Sequence, residues 1–254
     1  MKHIIFITLI SLVTIGAFAQ KKTDSVRISD KKKGTSIKVT PTDLSSGKFK
    51  IGLAPLGVDL GLTTLIDNGS FTLQPKNDFL SYRSWKSSNV GFDLLELGYR
   101  SGSKRFNVYL SGGFDWTLIR LRKDITIQKN TSALTYTNDT IHYTKNRFSS
   151  EYLRIPLSFE FMTNKDSRGK RMHFVVGPEA GLLLDGMVKQ ISEENGKQKI
   201  DNNYHFAKMR YGAFMRIGTS FAGLYARYYF NDMFENSPAQ KGLKNFAFGL
   251  TFGL

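Results

Sequence analysis

Period-two alternation is the feature that most narrows what this chain can become. Phe246, Phe248, Leu250, Phe252 and Leu254 alternate with Asn245, Ala247, Gly249, Thr251 and Gly253, so an extended segment carries large apolar side chains on one face and small or polar ones on the other. The rhythm recurs upstream. Leu224, Ala226, Tyr228 and Phe230 oppose Tyr225, Arg227, Tyr229 and Asn231, and Met209, Tyr211, Ala213, Met215 and Ile217 oppose Lys208, Arg210, Gly212, Phe214, Arg216 and Gly218. A tight turn at Ala222 and Gly223 is expected between these two strands.

Further back, Phe174, Val176, Ala180, Leu182 and Leu184 face away from His173, Gly177, Glu179, Gly181 and Asp185. Leu153, Ile155, Leu157, Phe159 and Phe161 face away from Tyr152, Arg154, Ser158 and Glu160, and Phe106, Val108, Leu110, Phe114, Trp116 and Leu118 oppose Asn107, Tyr109, Ser111, Gly113, Asp115 and Thr117. Residues 49–62 and 90–100 alternate less cleanly. In the first the apolar set shifts from Phe49, Ile51 and Leu53 to Leu56, Val58, Leu60 and Leu62, which predicts a bulge at Ala54 and Pro55. The second places Leu95, Leu97 and Tyr99 opposite Glu96, Gly98 and Arg100. Eight strands result. Pro55, Pro156 and Pro178 fall inside them, where a missing N–H interrupts a ladder.

The connections decide the architecture. Residues 65–89, 123–150 and 189–205 are long links and 234–243 an intermediate one, and they alternate with short ones at 101–104, 164–170 and 222–223. Long external loops and short periplasmic turns are the habit of membrane barrels. The first residues agree with export: Lys2, an apolar run over residues 4–19, and Ala17 and Ala19 as an A-x-A cleavage site read as a signal peptide over residues 1–19. No later stretch is long and apolar enough for a spanning helix. The chain has no cysteine, so neither a lipoprotein anchor nor a disulfide is expected.

A soluble sandwich also alternates, but it turns its charges to water. Here Asp115, Arg154, Glu160, Glu179, Arg210, Arg216 and Arg227 all lie opposite the large apolar side chains, and in hydrocarbon only a closed sheet satisfies every backbone group. The expected fold is all-β: an eight-stranded antiparallel up-and-down transmembrane β-barrel over residues 48–254, with short periplasmic turns and longer extracellular loops. A flexible basic periplasmic segment over residues 20–47 precedes it. Outward aromatics form two girdles, with Phe49, Tyr99, Phe106, Phe161, Phe174, Phe221 and Phe252 at one end and Trp116, Tyr211, Phe230 and Phe246 at the other. Eight strands leave room only for side chains. Arg154, Glu160, Glu179, Arg210, Arg216 and Arg227 are therefore expected to form an interior ion network.

Two segments carry a resemblance. Residues 152–157 read Y-L-R-I-P-L and residues 175–184 read V-V-G-P-E-A-G-L-L-L. These resemble the PorT-like outer-membrane β-barrel family, common in the Bacteroidota, whose pattern is Y-L-E-I-P-L followed by a G-P-x-x-G-like strand. The resemblance covers roughly residues 48–254 and makes Pro156 and Pro178 expected features, while Arg154 departs from the usual Glu. Gly249, Phe252 and Leu254 look like the C-terminal signal by which such barrels engage the barrel assembly machinery, with Leu254 in place of the preferred Phe. PorT itself implies a secretion pathway, and that activity is not carried over.

The net charge of +15 points to outer-membrane lipid and lipopolysaccharide phosphate as the counter-charge, and no nucleic-acid-binding pattern occurs. Of the four histidines, His3 leaves with the leader, and His142, His173 and His205 are spread along the chain without an H-E-x-x-H, Asp-His, H-x-S or G-x-S-x-G pattern. Glu193, Glu194 and Asp201 are interspersed with Lys189, Lys197 and Lys199 and lack EF-hand spacing. No catalytic, cofactor-binding or metal residue is assigned. Ile125, Ile127, Tyr136, Ile141 and Tyr143 suggest a strand-like protrusion whose edge offers a site for a protein partner at the extracellular loops. The expected function is that of a non-enzymatic barrel with a structural, adhesive or secretion-accessory role. A narrow porin-like solute channel is the alternative, and an outer-membrane enzyme a lesser one.

Overall fold

The computed structural model describes residues 49–53, 57–100, 105–167 and 169–253. The expected leader, the basic segment over 20–47, the bulge at Ala54 and Pro55, the turn at 101–104 and Leu254 lie outside them. The described strands are β1 (Phe49–Leu53), β2 (Val58–Asp67), β3 (Ser88–Arg100), β4 (Phe106–Arg120), β5 (Ile125–Ile127), β6 (Tyr136–Asn138), β7 (Lys145–Met162), β8 (Met172–Ser192), β9 (Gly196–Asp201), β10 (Met209–Thr219), β11 (Ala222–Tyr229) and β12 (Leu243–Phe252).

Antiparallel pairing runs from β3 through β2, β12, β11, β10, β8 and β7 to β4, and β4 pairs back onto β3. The path closes through eight strands. Its seam joins the first and last strands of the ring, from Val58 opposite Phe252 to Asp67 opposite Leu243. β1 continues along β3 beyond β2, with Leu53 opposite Leu95 and Val58 opposite Phe92. Closure leaves no free edge in the ring, which is how a sheet satisfies its backbone without water.

Residues 101–105, 163–171 and 220–221 connect strands at one end, and residues 68–87, 121–144, 193–208 and 230–242 connect them at the other. The long links are shorter than the alternation alone suggested, because β7 and β8 reach 18 and 21 residues. β8 runs on to Ser192 and folds back as β9, while Ile125 to Ile127 pair with Tyr136 to Asn138 as a separate hairpin. The rhythm at Ile125, Ile127 and Tyr136 is thus a real pair of strands, and Ile141 and Tyr143 lie outside it.

Alternation sorts the two faces as the residue pattern demands. In β10, Arg210, Gly212, Phe214, Arg216 and Gly218 are buried, whereas Met209, Tyr211, Met215 and Ile217 are exposed. Around the ring the outward face also exposes Leu60, Leu97, Leu110, Leu182, Leu224, Phe248 and Leu250. An apolar belt of this extent does not persist in water. Aromatic contacts mark its borders. Phe106 packs on Phe161 at 5.0 Å and Phe221 on Phe252 at 6.5 Å at the short-link end, and Tyr211 meets Phe230 at 6.4 Å toward the other.

Two irregularities shift faces. The β3–β4 register slips between Asp93 and Leu95, so both Asp93 and, beyond the slip, Glu96 lie on the inward side. The β7–β8 register slips at Leu184, so Asp185 pairs with Glu151 beside outward Trp116. Asp185 is therefore outward, which corrects the inward position that strict alternation gave it. Pro156 and Pro178 are absorbed without loss of register. Pro156 pairs with Glu179, and the ladder then lapses until Phe159 meets Val176. Gly177 lies in that lapse, where a Cβ would stand 1.8 Å from the Leu157 carbonyl oxygen, so only glycine permits the approach.

Candidate functional site

Inside the ring lies a charge network built from seven strands. Asp59 of β2 accepts from three arginines: Arg154 Nη1 of β7 at 2.8 Å, Arg216 Nη2 of β10 at 2.7 Å and Arg227 Nη2 of β11 at 2.9 Å. Asp93 of β3 accepts from Arg154 Nε at 2.9 Å and Arg216 Nη2 at 3.2 Å. Asp115 of β4 accepts from Arg210 Nη2 and, at 2.6 Å, from Arg227 Nη1. Arg227 Nε also faces Glu179 Oε1 at 2.8 Å as an ion pair without hydrogen-bond alignment. Four guanidinium groups thus meet four carboxylates. The network is neutral, the condition under which buried charge is tolerable.

Neutral groups complete it. Asn89 donates to Asp115 Oδ1 at 3.0 Å and accepts from the Tyr225 hydroxyl at 2.9 Å. The Arg210 guanidinium lies between two rings, 3.8 Å from the centroid of Tyr152 and 4.1 Å from that of Tyr229, a geometry that favours a desolvated cation. Gly91 supplies the room: a Cβ there would stand 2.7 Å from Arg154 Nη1 and 3.0 Å from Asp115 Oδ1.

Arg154, Glu179, Arg210, Arg216 and Arg227 were expected in this network and are found in it. Glu160 is not. It sits nearer the short-link end, where His173 Nδ1 donates to Glu160 Oε1 at 2.5 Å and Asn107 Nδ2 donates to Oε2 at 2.5 Å. The Ser220 hydroxyl is hydrogen-bonded with His173 Nε2 at 2.9 Å, so the imidazole ties β7, β8 and the β10–β11 turn together. His142 lies in the 121–144 link against Asp124, and His205 Nε2 donates to the Thr131 carbonyl at 2.9 Å, so the three histidines share no site. Glu193 and Glu194 occupy the β8–β9 turn and Asp201 the opposite end of β9. Among the described residues no group of three or more His, Asp or Glu side chains is placed to hold a metal ion.

Toward the long-link end the interior changes character. Leu65, Leu80, Ile119, Ile125, Ile127, Phe148, Val188, Tyr204, Phe206, Phe234 and Leu243 form one buried cluster from strand ends and links. Phe148 stacks on Phe206 at 4.6 Å and lies 6.0 Å from Phe234. Asp67 organises the 68–87 link beneath this cap, accepting from the Gln74 amide and from Asn77 Nδ2, each at 2.8 Å. Between network and cap is a cavity of about 20 Å³ lined by Thr117, Tyr152, Arg210, Tyr229 and Asn245, room for about one water.

A ring with an apolar exterior and a neutralised polar interior is the inverse of a soluble core. The family model described as outer membrane protein beta-barrel domain matches residues 83–235, more than half of the 254 residues. The chain belongs to this outer-membrane β-barrel family. Its antiparallel ring accords with a barrel, and the family places it in the outer membrane. No curated protein matches the chain.

Two members of the barrel's interior network were not singled out from sequence. Asp59 falls on the inward face by the alternation of Val58, Leu60 and Leu62, and that phase was the available signal. Asp93 precedes a register slip that no local pattern announces. The apolar cap was missed because its residues come from the ends of separate strands and from separate links, far apart along the chain.

Proposed function

We propose that the barrel is a sealed, non-enzymatic platform of eight transmembrane strands, with short periplasmic turns, whose external loop end docks a protein partner in a structural, adhesive or secretion-accessory role. The observation that carries this reading is the doubly closed lumen, filled by the Asp59–Asp93–Asp115–Glu179 arginine network and capped by the Phe148 cluster. An open pore needs a continuous aqueous path, and a neutral ion network held by direct contacts leaves none for a solute. For docking, the loop end offers the outer edge of β9, which among the described residues pairs only with β8, and the exposed strand β6. The PorT-like grouping is part of the same proposal, supported by Pro156 and Pro178 on adjacent strands. Purified full-length protein in planar bilayers tests the seal. No steady conductance is expected, and a reproducible single-channel step would favour the narrow-channel alternative.

The enzymatic alternative has one concrete geometry, the Ser220–His173–Glu160 chain, in the order of a nucleophile, base and orienting carboxylate. Hydrolysis also needs oxyanion donors beside the serine, and Ser220 sits at a two-residue turn next to exposed Phe221. The chain reads as a structural tie between strands. A fluorophosphonate probe should leave Ser220 unmodified, and its labelling would overturn the non-enzymatic reading.

A further inference from the structure

A row of cations crosses four strands on the outer face. Arg120 of β4 is in register with Arg147 of β7, Arg147 with Lys189 of β8, and Lys189 with Lys199 of β9. Registered partners share a face, and at about 4.8 Å per strand the row is about 14 Å long. Lys145 and Lys197 add a second row, both in register with Ile191. The face is outward, because the intervening Asn146, Phe148, Val188 and Gln190 are buried.

Like charges directly opposite one another destabilise a sheet, so such a row costs stability unless an anion joins it. The charges that bear most strongly on Lys189 are Lys145, Arg147, Lys197 and Lys199, and those that bear most strongly on Lys145 are Arg147, Arg120 and Lys197. No carboxylate is among them. Asp201 lies two residues along β9 from Lys199, opposite Met187. Arg147 Nε is buried without a hydrogen-bond partner among the described residues.

Height identifies the anion. Arg120 follows Trp116 by four residues on the same face, about 13 Å along the strand and about 10 Å along the bilayer normal at the usual tilt. Arg120 therefore stands just beyond the aromatic girdle, in the headgroup layer, and the row runs from it obliquely across that interfacial zone. The exposed indole of Trp85 is two residues from Arg83, whose amide donates to the Arg120 carbonyl at 2.8 Å. A row of cations flanked by an exposed indole suits an anionic interface.

We propose that the Arg120–Arg147–Lys189–Lys199 row binds the phosphate groups of a phosphorylated glycolipid in the leaflet at the loop end of the barrel. The site lies outside the lumen and is independent of whether the lumen conducts. Full-length protein folded in nonionic micelles is titrated with diphosphorylated lipid A and read by native mass spectrometry. Wild type should retain the lipid, as should the short-link control K165Q/K170Q. R120Q/R147Q/K189Q/K199Q should bind about tenfold more weakly or worse, as should dephosphorylated lipid A to wild type. Heat-modifiable gel mobility verifies the fold of each variant, and if the quadruple variant fails to fold, K189Q/K199Q carries the test with a several-fold loss. Equal binding by the folded row variant, or by the dephosphorylated lipid, overturns the proposal. Displacement of lipid A by an equal concentration of inorganic phosphate also overturns it, by assigning the row to free anions.

Discussion

Removing Asp59 is the sharpest test of the lumen. In Asp59→Asn the four arginines face three carboxylates, and one buried positive charge is left without compensation. The loss is uneven. Arg154 keeps Asp93 at 2.7 Å and Arg227 keeps Asp115 and Glu179, but Arg216 retains only its 3.2 Å contact to Asp93. Breaking a buried pair from one side costs about 3–5 kcal/mol, and because each arginine keeps some partner the lower end, about 3 kcal/mol, is expected here. Arg216→Met alone leaves the opposite imbalance. The double variant D59N/R216M restores neutrality and should cost less than the sum of the singles by about 2 kcal/mol. Urea unfolding in phospholipid vesicles, followed by tryptophan fluorescence and by heat-modifiable gel mobility, measures all three. A D59N cost below about 1 kcal/mol, or strict additivity of the pair, would refute the claim that charge balance holds this interior together.

Three further outcomes are expected. Phe148→Ala, at the centre of the cap, should destabilise by about 3–5 kcal/mol in the same unfolding assay while leaving planar bilayers silent, because the ion network beneath still fills the lumen. Gly91→Ala should cost about 1–3 kcal/mol by displacing Arg154 from Asp59, whereas Gly112→Ala, whose Cβ meets nothing within 4 Å, should stay within about 0.5 kcal/mol. Burial disfavours the ionised Asp124, yet the Tyr143 amide and the His142 ring outweigh it and hold its carboxyl below the ordinary aspartate range. The folded pKa is depressed, so this tie is complete above the unfolded pKa and is lost as pH falls through the folded one. The Tyr143 amide shift should report that step, which should vanish in Asp124→Asn.

The ring was legible in the residues because side-chain direction in a strand repeats every two positions, and charge on the face opposite Phe, Leu and Ile marks which side is dry. Arg154, Arg210, Arg216 and Arg227 followed from that rule alone. It fails where the count slips: Leu184 adds a residue and turns Asp185 outward. It is also silent about partners, so Glu160 was grouped with the arginines by face although it stands at another height, against His173. The cap lay beyond such reading, since its periodicity is spatial: Leu65, Ile119, Phe148 and Leu243 are brought to one level only by the ring.

Asp59 and Arg227 are separated by 168 residues, and Asp59 and Arg216 by 157. β2 is joined to β12, and through it to β11 and β10, at the seam. With the seam open, Asp59 would be left with Arg154 as its ion-pair partner and would lose Arg216 and Arg227, and incompletely paired charge is costly in hydrocarbon. Neutralisation of Asp59 and closure of the seam are consequently coupled. The backbone ladder and the ion network thus depend on the same junction: a ring left open between β2 and β12 would also separate Asp59 from Arg216 and Arg227.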